Sequence, residues 1–272
     1  MLLISSLKEI FNFFHMKKSG TLNQMLLVFL SLFWTESIWA FDFISTVKVV
    51  KPSVVAVGTF LKTRSPAVSF SGTGFVVGDG LTIITNAHVV RRVLHVEGGE
   101  TLGILAGKGE ASEFRPATIV ALDEEHDLVR LHISGSPLPV LELGDGNTVA
   151  EGQAIAFTGF PLAIGLGFHH ATHRGFIASI TPVTMPSMDS HRLDAKVISQ
   201  LRRSPYFVYQ LDATAYPGQS GSPVYEPDTG LVIGVINSVL VKGLKETAIT
   251  NPSGISYVIP VNFVQELLQK KM

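Results

Sequence analysis

Cysteine is absent from the 272-residue sequence, so no disulfide, thiol nucleophile or thiolate metal site is open to it. Charged side chains are scarce, at 16% of residues, and evenly signed, 21 basic against 22 acidic. That balance leaves no electrostatic footprint for nucleic acid. Basic residues cluster only as pairs, such as Arg91-Arg92, Arg202-Arg203 and Lys270-Lys271, which read as solvated surface. The apolar run 25–34 falls short of the roughly 20 residues that cross a bilayer comfortably. No internal repeat, heptad or low-complexity tract organises the chain.

What is present begins with an address. Lys17 and Lys18 precede that apolar run, which is followed by Thr35-Glu36-Ser37-Ile38-Trp39-Ala40. A positive region, a short apolar core and a small residue at the cut are the parts of a secretory signal peptide. The expectation is an exported protein, periplasmic or secreted, whose mature chain starts near Phe41 and which meets a membrane only through an uncleaved signal. Met16 offers an alternative start. Without cysteine, such a protein draws its stability from core burial, for which a 46% hydrophobic content is ample.

From residue 41 onward the pattern is mostly β. Segments 53–61, 74–77, 81–85, 118–122, 127–133, 153–158, 176–180, 207–211, 231–241 and 254–259 read as strands. Gly78-Asp79-Gly80 marks a hairpin, because Asp-Gly suits a turn that needs positive φ. Residues 261–271 carry apolar side chains at helical spacing and predict a C-terminal helix. Short strands broken by glycine and proline point to a barrel or sandwich. The glycine-rich stretch 143–147 lies near the link between two halves, and 182–204 reads as a long surface loop.

Three places carry chemistry. Ala215-Tyr216-Pro217-Gly218-Gln219-Ser220-Gly221-Ser222-Pro223 puts a serine between glycines, where backbone N–H groups can converge beside an exposed hydroxyl. Acyl transfer needs that arrangement, although a plain glycine-rich hairpin would look the same. His88 follows strand 81–85, a rigid mount suited to a general base. Asp127 opens a segment whose alternation places it on the apolar face with Val129, Leu131 and Ile133. A carboxylate there needs a partner, and an imidazole N–H is one. Asp123, Glu124 and Glu125 read as an exposed acidic turn, and Asp212 as structural. The order His88, Asp127, Ser220 is that of the chymotrypsin arrangement and differs from the α/β-hydrolase order.

The stretches Ser71-Gly72-Thr73-Gly74-Phe75-Val76-Val77, Thr85-Asn86-Ala87-His88-Val89-Val90, His126-Asp127-Leu128-Val129, 217–223 and 254–260 together resemble the successive signatures of HtrA (Deg)-type trypsin-like serine proteases. The resemblance runs from about residue 41 to the C-terminus. It implies an all-β fold of two six-stranded antiparallel β-barrels, over 41–145 and 146–272, after a 1–40 extension and signal, with a short helix closing the second part. It implies His88 as base, Asp127 as its orienter, Ser220 as nucleophile, and the N–H groups of Gly218 and Ser220 as oxyanion hole. It also implies polypeptide substrates, no metal or cofactor, and a homotrimer built on aromatic residues such as Phe41 and Phe43. The sequence departs from the family in reaching its end where the protease domain would, so the expectation is a protease domain without the PDZ domain most HtrA proteins carry. Its Gly218-Gln219-Ser220-Gly221-Ser222-Pro223 replaces the usual Gly-Asn-Ser-Gly-Gly-Pro, and the Ser-Gly-Ser variant is similar to that of glutamyl endopeptidases.

By the same resemblance, Thr214 is the base of the primary specificity pocket, and Asn237, Ser238 and Val239 form the strand that pairs with substrate. Thr214 lacks the charge that would partner a substrate Lys or Arg, so the expectation is small or medium aliphatic side chains before the scissile bond. His169, His170 and His173 invite a metal reading. Strand alternation sends His170 away from the other two, so no compact three-ligand site is expected. The rival class is a latent or inactive protease-fold binding or chaperone module, since fold alone does not fix function.

Overall fold

The computed structural model describes residues 42–94, 99–107, 112–161, 167–183, 206–237 and 255–270. The signal-like segment and most of 182–204 lie outside them.

Twelve strands form two closed antiparallel barrels. The first holds β1 (Val54–Phe60), β2 (Val68–Val77), β3 (Thr82–Asn86), β4 (Thr101–Ala106), β5 (Glu113–Asp123) and β6 (Leu128–Ile133), in the spatial order β1-β2-β3-β6-β5-β4. The second holds β7 (Ala154–Gly159), β8 (Ala171–Pro182), β9 (Phe207–Asp212), β10 (Pro223–Tyr225), β11 (Val232–Asn237) and β12 (Ile255–Pro260), in the order β7-β8-β9-β12-β11-β10. The two orders are the same when the second is counted from β7, a duplication that no sequence repeat announces. Three α-helices lie among the described residues: α1 (Phe43–Val50), α2 (Ala87–Leu94) and α3 (Val261–Gln269).

Turn chemistry sets the β2–β3 hairpin at the Gly78-Asp79-Gly80 stretch that the sequence suggests. Positive φ falls on Gly78 and Gly80, at 64° and 78°, while Asp79 acts through its side chain, accepting from Leu81 N at 2.9 Å. Barrel closure needs curvature, supplied by register shifts between Val57 and Gly58 in β1 and between Ile177 and Ser179 on β8. Gly58 is required at its shift, since a Cβ there would lie 2.0 Å from the Ser69 carbonyl oxygen.

Each barrel has its own apolar filling, with Val57, Ile83, Leu131 and Ile133 in the first and Ile155, Phe157, Leu211 and Ile236 in the second. A third cluster joins Phe75 and Ile84 to Ala156, Tyr225, Val235 and Ile259, and so forms the seam between barrels. Strand β11 is buried along its whole length because it has the barrel filling on one face and the seam on the other. Its sequence therefore reads as a continuous apolar run rather than an alternating one.

The C-terminal helix is short but well anchored. Val261, Val264 and Leu267 are buried at helical spacing, and each contributes about 1.5–3 kcal/mol by leaving water. Its far end reaches back to the first barrel, where Arg130 Nη1 donates to the Leu268 carbonyl at 2.8 Å. Lys270 Nζ donates to Asp123 Oδ2 at 3.0 Å. Asp123 is thus buried rather than part of an exposed acidic turn, and it also accepts from the backbone N–H groups of Glu125 and His126 and from His126 Nδ1. His126 in turn stacks on Phe263 of α3 and meets Tyr206 edge-on. Helix α1 was not legible as one: its β-branched residues suggest a strand, and the Asp42 side chain, accepting from Ile44 N at 3.0 Å, sets its start.

Burial alone would push the Asp123 carboxyl pKa up, but hydrogen bonds from His126 and Lys270 outweigh it and hold the value below the ordinary one. A lowered folded pKa adds stability that is complete above the unfolded value, about 4, and is lost as pH falls through the folded value. Asp123→Asn is therefore expected to lower stability at neutral pH and to flatten the acid side of the stability profile below about pH 4. Urea midpoints across that range test it, and identical acid limbs in the two proteins would refute it.

Candidate active site

The pairing of β3 with β6 ends at Asn86 opposite Leu128, which places Ala87-His88 beside Asp127. Asp127 is the only non-glycine residue with positive φ among the described residues, at 54°. That backbone takes it out of the pleat, so the alternation used to put it on the core face with Val129 stops at Leu128. In its left-handed position the carbonyl of Asp127 accepts from Ala87 N at 2.9 Å and from Asn86 Nδ2 at 3.1 Å. The carboxylate turns toward His88, with Oδ1 accepting from His88 N at 2.8 Å and Oδ2 lying 2.5 Å from His88 Nδ1.

Asn237, at the end of β11, adds a third contact by donating from Nδ2 to Asp127 Oδ2 at 3.1 Å. An amide nitrogen can only donate, so Oδ2 is an acceptor and His88 Nδ1 carries its proton toward it. The lone pair of the imidazole is then on Nε2, which is buried without a hydrogen-bond partner among the described residues. An imidazole held in this tautomer by a carboxylate can take a proton from a hydroxyl and stabilise the imidazolium that results.

Ser220 is 5% exposed, in the connection from β9 to β10. Ahead of it, Gln219 N donates to Tyr216 O at 3.0 Å, closing a turn with Pro217 and then Gly218 at its centre. Gly218 has φ 97°, the left-handed residue that a type II turn requires after proline. A Cβ at Gly218 would also lie 2.5 Å from the Phe160 carbonyl oxygen, so only glycine fits. The Gln219 side chain folds under the turn, its Oε1 accepting from Tyr216 N at 2.7 Å. Past the serine, Gly221 N donates to Ile236 O and Ile236 N to Ser222 O, each at 2.9 Å. The serine loop is therefore fastened to β11 one residue from Asn237, the side chain that binds Asp127.

The remaining predicted residues fare unevenly. Thr214 is half-buried, and the Ser256 hydroxyl brackets it by accepting from Ala215 N at 2.7 Å and donating to Ala213 O at 2.9 Å. Asn237 is 3% exposed and directs its side chain to Asp127, a contact that sequence reasoning did not foresee. Ser238 and Val239 lie outside the described residues. His170 Nε2 is 2.8 Å from the Val54 carbonyl oxygen, and His173 stacks on Phe157, so the two imidazoles do not converge. Burial lowers the pKa of His173, which favours its neutral form. No group of three metal-ligating side chains occurs among the described residues. Tyr206, close to this corner, has its pKa pushed up to about 12 by burial and by the charges of Asp127, Glu125 and Asp123, and so stays neutral.

The trypsin-like peptidase domain family matches residues 72–235. The mitochondrial serine protease HTRA2 of Drosophila pseudoobscura pseudoobscura is 30% identical over 205 residues, 75% of this chain and 40% of that protein. The serine protease HTRA3 of Rattus norvegicus is 30% identical over 242 residues, 87% of this chain and 46% of that protein. A probable periplasmic DegP-like serine endoprotease of Halomonas elongata is 28% identical over 197 residues, 72% of this chain and 34% of that protein. The chain thus spans less than half the length of these relatives. Among solved structures, the HtrA-type protease AlgW with a decapeptide matches with a TM-score of 0.60 at 18% identity, covering 84% of this chain and 66% of that one. A protease from M. tuberculosis in its active form matches with a TM-score of 0.59 at 23% identity, covering 83% of each chain.

Replacing Asn237 by leucine removes one donor to a partly buried carboxylate. The expected loss is about 1.5–3 kcal/mol, the range for a hydrogen bond to a charged group. Urea denaturation reads it, and an unchanged midpoint would mean the contact carries no weight.

Proposed function

The chain belongs to the trypsin-like peptidase family, and on that footing we propose that it is a serine endopeptidase acting through an acyl-enzyme. The observation that carries this is the His88–Asp127 pair at 2.5 Å, with the opposite imidazole nitrogen buried and without a partner among the described residues. In this reading His88 Nε2 takes the proton of Ser220 Oγ as the oxygen bonds to the scissile carbonyl carbon. The amides of Gly218 and Ser220 stabilise the oxyanion that forms. His88 then passes its proton to the departing amine, and the C–N bond breaks to leave an ester on Ser220. Water, deprotonated by His88, attacks that ester, and the proton returns to Ser220 as the acid product leaves. Asp127 keeps the imidazole oriented and stabilises its charged form throughout.

Thr214 sets a preference for small or medium aliphatic side chains before the cut, because neither it nor its bracket through Ser256 brings a carboxylate to the pocket. Substrates are unfolded or misfolded polypeptides, met after export directed by residues 1–40; the name of the Halomonas relative places that protein in the periplasm. Self-association into a trimer would draw on α1, whose Ile44 and Val49 are 64% and 71% exposed.

The test compares degradation of unfolded casein by the purified mature chain and by its Ser220→Ala partner. The loss expected is about 10⁶-fold, as for removal of the nucleophile in a triad enzyme. Cleavage-site mapping of the products is expected to show aliphatic residues before the cut, and cutting mainly after Arg or Lys would overturn the pocket assignment. Two folded but inert proteins would favour a binding or chaperone module instead.

A further inference from the structure

Thr73 stands out among residues to which the proposed reaction gives no part. It lies in β2, fully buried, between two glycines of the Ser71-Gly72-Thr73-Gly74 stretch. On one side it pairs with Ala56 of β1, as a barrel strand should. On the other side the ladder to β3 stops at Phe75 opposite Ile84, two residues short of Thr73. The serine loop fills the place where the ladder would have continued.

There Thr73 uses every polar group it has. Its N–H donates to the Ser220 carbonyl at 2.9 Å. Its hydroxyl donates to the Gly218 carbonyl at 2.8 Å and accepts from Phe160 N, at the end of β7, at 3.1 Å. Its own carbonyl accepts from Thr85 Oγ1 at 2.6 Å, and Thr85 is the third residue before His88. The surroundings are cleared for these contacts. A Cβ on Gly221 would lie 2.0 Å from the Thr73 carbonyl oxygen, and one on Gly159 would lie 2.9 Å from the Thr73 hydroxyl. Neither contact survives a larger residue at either position.

We propose that Thr73 is the positioning residue of the oxyanion turn, its hydroxyl fixing Gly218 while its backbone fixes Ser220. The inference rests on the peptidase reading, since those two residues supply the amides assigned to the oxyanion. It goes beyond that reading by naming what aligns them with the base. The path runs from the end of β3, where His88 is mounted, through Thr85 to Thr73, and from Thr73 to both sides of Gln219. The hydroxyl belongs to the first barrel and bonds directly to the turn of the second. Without it the Gly218 carbonyl and the Phe160 N–H lose their common partner, and the Tyr216–Gln219 turn is free to rotate its central peptide. A misplacement of about 1 Å at a reacting centre costs on the order of 10²-fold in rate.

The experiment uses the full chain with Thr73→Val, which keeps the shape and removes the hydroxyl, and Thr73→Ser, which keeps the hydroxyl. With a peptide substrate, Thr73→Val is expected to lower kcat about 10²-fold while KM stays within about twofold, and Thr73→Ser to restore kcat to within about threefold of the wild type. Amide hydrogen exchange over residues 213–223 is expected to quicken about tenfold in Thr73→Val, with the barrel strands still protected. Should the valine variant fail to fold, Thr73→Ala carries the same comparison against serine. Wild-type kcat in the valine or alanine variant, unchanged exchange in the loop, or a serine variant as impaired as valine would each overturn the proposal. If the wild type itself proves inert, the peptidase reading fails, and the exchange comparison still decides whether Thr73 holds the turn.

Discussion

A carboxylate drawn partly out of water must be met by donors, and Asp127 meets that demand in a way that organises the molecule. Its donors come from two places far apart in the chain: the backbone and ring of His88, and the amide of Asn237. The first pair belongs to one barrel and the last to the other. The same group that fixes the imidazole tautomer therefore also registers the barrels against each other. Positive φ at Asp127 makes this geometry available, because only a left-handed residue there lets the carbonyl and the carboxylate both turn to the segment 86–88.

The seam between the barrels works on the same rule of mutual occupation. Glycines sit where the other barrel's backbone comes close: Gly221 against the Thr73 carbonyl and Gly72 against the Ser220 carbonyl. Apolar contact through Phe75, Tyr225 and Val235 supplies the non-directional part of the adhesion, and the hydrogen bonds of Thr73 and Asn237 supply its register. Area alone would tolerate sliding by a fraction of an ångström. Directed bonds do not.

Much of this was legible in the sequence. Strand positions followed from β-branched runs and turn residues, and the family resemblance carried by the stretches around His88, Asp127 and Ser220 implied the two barrels. What escaped has physical causes. Strand β4 carries Gly103 in its middle, pressed against the Arg115 carbonyl and the Phe114 ring, so its composition is diluted by a packing need. Strand β10 is only Pro223–Tyr225, too short for periodicity. Asp127 was assigned the correct partner for an incomplete reason, since alternation says nothing about a residue with positive φ. Asp123 was read as surface because its partners, His126 and Lys270, reach it from a turn and from the far end of the chain. Thr73 and Asn237 drew attention as parts of recognisable stretches, yet contacts across 145 and 110 positions leave no local trace.

The return of α3 to the first barrel bears on the order in which the chain becomes competent during synthesis. The first six strands can close early, as their pairing is complete within residues 54–133. Yet the turn that presents Asp127 waits for Asn237 to emerge, and the Asp123–His126 corner beside it waits for Phe263 and Lys270. A nascent chain emerging at about 5–20 residues per second thus carries His88 and Asp127 for several seconds before their last supports exist. The corner beside the His88–Asp127 pair is therefore complete only once α3 has packed against the first barrel.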